Sequence, residues 1–167
     1  WRIVALLVLL PLALVAIFVA WISHIRWRGF RAHEWGVTYL CRLILRTLSV
    51  RISCAHRQQI IAMQGILFVN HLTFIDIPVL AGLAPMRFLS TSEVYHVPVV
   101  GWVAKQIDTV FVNRRNRDSR HASRGAIAES LDKSLTPPFV IFPEGGFGAP
   151  NVLRPFHYGS FAIAAEN

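Results

Sequence analysis

Three short segments contain the residue types that acid–base and anion-binding chemistry needs. In the first, Asn70-His-Leu-Thr-Phe-Ile-Asp76, His71 precedes Asp76 by five residues. Residues i and i+5 lie about 140° apart on a continuous helix, so the two side chains can meet only if His71 lies in a turn before the helix. A carboxylate on one ring nitrogen then fixes the tautomer and leaves the other nitrogen as a general base. Without a Gly-x-Ser-x-Gly nucleophile elbow in the chain, that base would act on a hydroxyl group of the substrate.

The other two segments supply charge and a flexible turn. Thr109-Val-Phe-Val-Asn113 is followed by Arg114, Arg115 and Arg117. Phe142-Pro-Glu-Gly-Gly146 follows an apolar run and combines a carboxylate with two glycines. A guanidinium group can bind two oxygens of one anionic group at once. The segments therefore suit a base that works beside an anionic group of a substrate.

Short apolar runs precede each of these segments and predict buried strands. The predicted strands are 65–70, 86–90, 109–113 and 138–142, and the predicted helices between them are 74–83, 93–105 and 119–135. Strands that alternate with helices predict an α/β domain, with a largely parallel or mixed sheet flanked by helices. The carboxyl ends of parallel strands share one edge of the sheet, where functional sites usually lie.

The N-terminal segment predicts a membrane anchor. Residues 3–22 contain no charged or strongly polar side chain. Such a run can cross a bilayer as a helix, at about 1.5 Å per residue over roughly 30 Å. Arg26, Arg28 and Arg31 follow it, which by the positive-inside rule assigns the rest of the chain to the cytoplasmic side. Pro11 interrupts the run, so a re-entrant or in-plane helix is the alternative.

Residues 30–50 predict an amphipathic helix, in which polar side chains recur every four residues: Glu34, Thr38, Arg42 and Arg46. Such a helix suits either a membrane surface or the core of the domain. We therefore expect a membrane-associated helical segment at 1–50 and an α/β domain at 51–167.

The composition limits the class of protein and of partner. Of the 167 residues, 54% are hydrophobic and 16% are charged, which excludes a disordered or collagen-like chain. The net charge of +8 indicates an anionic partner, such as lipid headgroups, phosphorylated substrates or nucleic acid. Two cysteines, Cys41 and Cys54, make no disulfide framework and favour a reducing compartment.

The order of the motifs resembles that of the glycerolipid acyltransferases. The motifs are His-x4-Asp, Phe-Val-x-Arg at 111–114, Phe-Pro-Glu-Gly at 142–145 and Pro-Phe-x-x-Gly-x-Phe at 155–161. The resemblance implies transfer of a fatty acyl group from acyl-CoA or acyl-carrier protein to the hydroxyl of a lyso-lipid. It also implies a membrane protein, with its catalytic domain on the cytoplasmic side of a bacterial inner membrane, and no metal or other cofactor.

The resemblance also implies roles for individual residues. His71 matches the catalytic base and Asp76 the partner that orients its imidazole. Arg114 matches the arginine that binds the phosphate of the acceptor. Glu144 and Gly145 match the block that shapes the acceptor site.

This chain departs from the motifs of phosphatidate-forming members, which usually have Thr-Arg after the Glu-Gly. Here Gly146 and Phe147 occupy those places, so the second phosphate-binding arginine is missing. Either Arg115, Arg117 or Arg154 substitutes for it, or the acceptor is not a simple phosphate monoester and resembles a lyso-ornithine lipid.

The two ends of the sequence bear on whether it is part of a longer protein. The chain begins with Trp rather than Met, and the last apolar block of the family is expected beyond residue 167. We therefore expect the α/β domain to continue in a longer natural protein.

Other interpretations start from single features. A membrane-anchored lipid-binding or scaffold protein would keep the fold without catalysis, but the intact His71 and Asp76 favour an enzyme. The arginine-rich run 114–124 lacks the interleaved aromatic residues of single-strand binders, so we expect membrane lipids as partners and no nucleic acid. A metal site formed by His71, Asp76 and Glu144 would lack a His-Glu-x-x-His motif or a cysteine pair, so we expect no metal.

Overall fold

A computed structural model of the chain describes residues 2–113, 117–146, 152 and 154–166. The chain divides into two compact units, each made of two stretches of sequence. The first unit is Trp1–Met63 with Ile75–Met86, and the second is Gln64–Phe74 with Arg87–Asn167. The predicted division at residue 50 stays a prediction.

The first unit is mainly helical. Its elements are α1 (Arg2–Ile22), β1 (Arg26–Trp27), β2 (Phe30–Arg31), α2 (Ala32–Thr47), α3 (Arg57–Ala62) and α4 (Asp76–Leu83). Strands β1 and β2 form a short antiparallel hairpin between α1 and α2. At Gly36 an added Cβ atom would lie 2.8 Å from Ile17 Cγ1, so the glycine lets α2 pack closely on α1.

Helix α1 matches the predicted apolar helix, and Pro11 lies inside it. Several of its apolar side chains are exposed, including Leu7 and Leu12, at 67% and 62%. Among the residues searched, no helix has both the length and the hydropathy that crossing a membrane requires. The predicted membrane span is therefore not shown.

Helix α2 begins two residues later than predicted, because Phe30 and Arg31 pair in β2. A capping box fixes this start, since the Glu34 carboxylate accepts hydrogen bonds from Arg31 N and Arg31 Nε at 2.7 and 2.8 Å. Glu34 and Thr38 are buried, at 2% and 1% exposed. The first half of the predicted polar stripe thus faces the interior, which favours the core-helix interpretation.

The second unit contains the sheet and its helices. Its elements are β3 (Ile66–Phe68), β4 (Arg87–Thr91), α5 (Ser92–Tyr95), α6 (Val100–Gln106), β5 (Val110–Val112), α7 (Arg117–Lys133), β6 (Phe139–Ile141) and α8 (Gly159–Glu166). Within the described part of the chain the four strands are ordered β3-β6-β4-β5, and every neighbouring pair is parallel. The predicted α/β fold with a parallel sheet is confirmed.

The core of the second unit joins helices to the central strands. Its buried side chains come from α7, β6 and α8: Ile127, Leu131, Phe139, Ile141 and Ile163. Arg87 on β4 is also buried, and its guanidinium donates to the carbonyl oxygens of Ser130 and Pro137 at 2.7 and 2.9 Å. These bonds satisfy the buried charge and tie the end of α7 to the sheet.

Three more of the predicted helices differ in extent. The predicted helix 74–83 begins at Asp76, as α4. The predicted helix 93–105 is divided into α5 and α6, because Pro98 lies between them and cannot donate a backbone hydrogen bond. Val99 then adopts a φ of +63°. The predicted helix 119–135 ends at Lys133, so Leu135 lies outside it and is 47% exposed.

Candidate active site

The candidate site forms where β3 and β6 end. The two strands are neighbours, with Phe68 in register with Ile141. The ladder continues one step further, since Val69 N donates to Ile141 O at 3.2 Å. The residues that follow each strand are therefore held side by side at the carboxyl edge of the sheet.

His71 is fixed there by contacts to the residues after β6. Its backbone N–H donates to Glu144 Oε1 at 3.2 Å. Its imidazole stacks on the Phe142 ring, with the ring centroids 4.0 Å apart and the planes at 19°. Stacking engages the face of the imidazole and not the edge that bears both nitrogens, so this arrangement orients the ring for proton transfer at its edge.

Glu144 is the buried charge of this site. Its side chain is 2% exposed. One oxygen accepts the His71 N–H, whereas Oε2 is buried and has no hydrogen-bond partner among the described residues. Burial of an unpaired carboxylate oxygen is costly. A hydroxyl or ammonium group of a bound molecule would satisfy this oxygen.

The turn after Glu144 needs its glycines. Gly145 has a φ of +70° and Gly146 a φ of +159°, conformations that side chains disfavour. The N–H of Gly145 donates to Phe142 O at 3.0 Å and closes the turn. Gly145, which the sequence analysis assigns to the acceptor site, thus has a backbone role in holding Glu144.

Asp76 is the first residue of α4, and His71 precedes it in an irregular segment. This is the order of elements that the spacing predicts. A carboxylate in the first turn of a helix is stabilised by the helix dipole. Because His71 belongs to the second unit and Asp76 to the first, their pairing stays a prediction.

Arg114 and Phe147 lie outside the described residues. The strand that precedes Arg114, β5, is parallel to the rest of the sheet, so it ends at the same edge as β3. Strands β6 and β4 separate β5 from β3. Three strand spacings amount to about 14 Å, a separation that the sequence analysis did not foresee.

The structure adds Phe142, Arg154 and His157 to the site. Arg154 Nη1 would lie 3.4 Å from a Cβ atom at Gly146, so its guanidinium rests against the open side of that glycine. His157 N donates to Pro143 O at 2.8 Å and holds its segment beside the turn. Arg154 was one of the three substitutes considered from the sequence, whereas nothing in the sequence indicated that Phe142 stacks on His71.

Metal ligands are not gathered in this region. Within the described ranges, no group of three or more His, Cys, Asp and Glu side chains is arranged to hold a metal ion. The groups that the described residues bring to this site are an imidazole, a carboxylate and a guanidinium.

Comparison with known proteins identifies the family. Residues 51–167 match the family model described as Acyltransferase. The chain belongs to the acyltransferase family. It is 36% identical over 137 residues to the lyso-ornithine lipid O-acyltransferase of Pseudomonas aeruginosa, an alignment that covers 81% of this chain and 49% of that protein.

Other acyltransferase relatives differ in the acceptor that their names give. The lyso-ornithine lipid O-acyltransferase of Rhodobacter capsulatus is 30% identical over 74% of this chain and 43% of its own length. The 1-acyl-sn-glycerol-3-phosphate acyltransferase of Neisseria gonorrhoeae is 29% identical over 58% of this chain and 37% of its own length. The chain thus spans about half the length of these relatives, or less.

A solved structure supports the fold. The chain is similar to the crystal structure of the 1-acyl-sn-glycerophosphate acyltransferase PlsC from Thermotoga maritima, with a TM-score of 0.69. The similarity covers 93% of this chain and 61% of that one, at 20% sequence identity. At this identity the comparison supports the fold and not the substrate.

Proposed function

We propose that this protein transfers a fatty acyl group from a thioester donor, acyl-CoA or acyl-carrier protein, to the hydroxyl of a lyso-lipid. The observation that supports this most is the fixing of His71 by Phe142 and Glu144 at the carboxyl edge of the sheet. A held imidazole with no side-chain nucleophile next to it in sequence suits direct attack by a substrate hydroxyl. Family membership supports the same chemistry.

In the proposed reaction, an edge nitrogen of His71 removes the proton from the acceptor hydroxyl. The hydroxyl oxygen attacks the thioester carbonyl, an ester C–O bond forms, and the C–S bond breaks. The imidazolium then returns its proton to the departing thiolate. Asp76 orients the imidazole and stabilises its charged form, the part that a carboxylate plays beside a catalytic histidine.

Glu144 and Gly145 shape the acceptor site in this proposal. The unpartnered Oε2 of Glu144 accepts a hydrogen bond from a hydroxyl or an ammonium group of the acceptor. The positive φ of Gly145 keeps the carboxylate beneath the His71 segment. Glu144 is thus both a positioning residue for His71 and a contact for the acceptor.

We propose lyso-ornithine lipid as the acceptor, in preference to lysophosphatidate. An ornithine headgroup offers a carboxylate and an ammonium, which suit a guanidinium and the Glu144 carboxylate respectively. Arg114 binds the headgroup anion, and Arg154 beside Gly146 supplies a second guanidinium. Phe147 in place of an arginine, and the names of two relatives, support this choice.

The protein works on membrane lipids and associates with the bilayer through the exposed apolar side chains of α1. An in-plane or re-entrant position of α1, with the catalytic unit on the cytoplasmic side of a bacterial inner membrane, agrees with the basic residues that follow the helix.

Acyl transfer to a panel of lyso-lipids tests the proposed function. Membranes that contain the protein would receive labelled acyl-CoA or acyl-carrier protein, with lyso-ornithine lipid, lysophosphatidate or lysophosphatidylcholine. We expect the diacylated ornithine lipid as the main product, and no product from membranes with the His71→Ala variant. Transfer to lysophosphatidate alone would overturn the acceptor assignment. If no acceptor received an acyl group, the proposed acyltransferase activity would be overturned.

A further inference from the structure

A pocket lies entirely within the first unit and shares no residue with the His71 site. It has a volume of about 530 Å³, within the range of small-molecule sites. The end of α2, the segment that follows it, α3 and the end of α4 contribute its walls. The charged residues in its described lining are four arginines: Arg42, Arg46, Arg51 and Arg57.

Two of these arginines are fixed by the end of α4. Arg42 donates to Gly82 O and Leu83 O at 2.7 and 3.3 Å, and Arg57 Nε donates to Leu83 O at 3.0 Å. The last carbonyls of a helix lack partners inside the helix and carry partial negative charge. These hydrogen bonds give Arg42 and Arg57 a structural role and hold their guanidinium groups at the pocket.

That role does not explain Arg46 and Arg51. Both side chains are exposed and line the same pocket. Among the residues that the structure describes, neither donates a hydrogen bond or pairs with a carboxylate. Guanidinium groups gathered around one cavity repel each other unless an anion lies between them.

The stretches of sequence that line the pocket contain no carboxylate side chain. The sequence contains no Asp or Glu between Glu34 and Asp76. Glu34 is paired with Arg31 at 2.7 Å. Asp76 begins the helix whose other end lines the pocket, about 10 Å away along the helix axis. A bound anion would neutralise this cluster of positive charge.

The apolar part of the lining indicates what kind of anion fits. Leu45, Val50, Ile52 and Leu83 lie beside the arginines, so the ligand is both anionic and partly apolar. The described lining contains no aromatic ring to stack on a nucleotide base. The same unit exposes the apolar side chains of α1, which suits contact with lipid.

We propose that this arginine pocket binds the phosphate group of an anionic phospholipid headgroup. The phosphate oxygens accept hydrogen bonds from the four guanidinium groups, and the glycerol end of the lipid contacts the apolar wall. The pocket would hold the protein on an anionic membrane surface independently of acyl transfer. This inference therefore does not rest on the proposed reaction.

Cys54 gives a direct readout, because it lines the pocket. The chain has one other cysteine, Cys41, which is buried, and burial raises the pKa of its thiol to about 12. Iodoacetamide reacts with thiolates, so in the folded protein alkylation reports Cys54. Mass spectrometry would follow its rate in neutral detergent micelles as dihexanoyl phosphatidylglycerol is added.

We expect saturable protection of Cys54 by dihexanoyl phosphatidylglycerol. The double variant Arg46→Gln/Arg51→Gln should need at least about tenfold more lipid for the same protection, since charged hydrogen bonds are lost. Arg26→Gln/Arg28→Gln removes the same charge from the exposed hairpin and should leave the protection curve unchanged. Because Cys41 is buried in the folded protein, its lack of reaction with iodoacetamide would show that each variant is folded. If the double variant unfolds, Arg46→Gln alone serves in its place.

Three further probes identify the source of the phosphate. Inorganic phosphate and adenosine 3′,5′-diphosphate, the latter standing for the phosphates of coenzyme A, should protect Cys54 more weakly than phosphatidylglycerol. Dihexanoyl phosphatidylcholine should also protect weakly, because its ammonium group is repelled by the arginines. The proposal would be overturned if the nucleotide protected Cys54 more strongly than phosphatidylglycerol, or if inorganic phosphate protected it equally well. It would also be overturned if both double variants lost protection equally, or if no lipid protected Cys54.

Discussion

The His71 site and the arginine pocket are formed by different parts of the fold and suit different functions. The His71 site sits at the ends of two parallel strands and holds a stacked imidazole over a buried carboxylate. The arginine pocket lies among helix ends, and the charged residues of its described lining are arginines. Strand ends in fixed register suit groups that must meet a reacting atom, whereas long side chains at helix ends suit recognition of a charge. The two proposals therefore predict that acyl transfer and lipid binding can be separated by mutation.

The largest expected effect is that of His71→Ala on acyl transfer. Loss of general-base catalysis should lower kcat by about 10²–10⁴-fold. Protection of Cys54 by phosphatidylglycerol should not change, because the arginine pocket shares no residue with the His71 site. Parallel measurements of transfer and alkylation check this. A variant that loses both would contradict the separation of the two regions.

Asp76→Asn tests the pairing that the sequence spacing predicts. An amide of the same size keeps the start of α4 but removes the charge that orients the imidazole. We expect a loss of kcat of about 10²–10⁴-fold, comparable to that in triad enzymes. Asp76→Glu, which keeps the charge, is the control and should retain more activity. Equal activity of wild type and Asp76→Asn would exclude Asp76 as the partner.

The reactivities of the two cysteines should differ by about a hundredfold or more at pH 8. The pKa of Cys41 is raised to about 12 by burial, so its thiolate is scarce at that pH, whereas Cys54 is half-buried. The folded protein holds the Cys41 proton more tightly than the unfolded chain, in which the pKa is 9.0. The contribution of Cys41 to stability is therefore fully present below pH 9.0 and is lost as pH rises toward about 12. Alkylation rates from Cys41→Ser and Cys54→Ser variants check the ratio, and similar rates would contradict it.

Glu144→Gln tests the carboxylate beneath His71. Glutamine keeps the size and one oxygen for the His71 N–H but removes the charge offered by Oε2. Loss of one charged hydrogen bond should lower kcat/KM for an acceptor with an ammonium group by roughly tenfold to a hundredfold. For lysophosphatidate, which lacks that ammonium group, the change should be smaller. An equal loss for both acceptors would assign Glu144 a positioning role alone.

Arg154→Ala should have the smallest effect. Its exposed guanidinium rests beside Gly146, so solvent weakens its hold on the acceptor headgroup. We expect a rise in acceptor KM of about tenfold or less, with donor KM unchanged. Lys133→Ala, which removes an exposed positive charge from the end of α7, is the charge-matched control. A rise in donor KM alone would assign Arg154 to the acyl donor.

The sheet was predictable because each strand is a short apolar run bounded by turn residues. β3, β5 and β6 fall within the predicted ranges, and β4 extends one residue beyond its range, to Thr91. The strand order was not predictable, because β6 inserts between β3 and β4 through contacts distant in sequence. For the same reason the distance between the ends of β3 and β5 was not predictable.

The candidate site was predictable in part. His71, Glu144 and Gly145 were singled out from their motifs, and the structure brings them together after β3 and β6. Phe142 was missed, because an aromatic residue at the end of a buried strand indicates core packing. The arginine pocket was missed because Arg42 and Arg46 recur at helical spacing with Glu34 and Thr38, and its other arginines come from separate elements. Such a cluster exists only in three dimensions.

Chemical rescue tests the central claim, that His71 is the base for acyl transfer to a lyso-lipid. Purified His71→Gly protein in neutral micelles would be assayed for transfer of a labelled acyl group to lyso-ornithine lipid, with and without added imidazole. We expect negligible transfer without imidazole and a saturable, pH-dependent recovery with it, because free imidazole would occupy the space on the Phe142 ring. Wild-type rates in the variant without imidazole would contradict the claim.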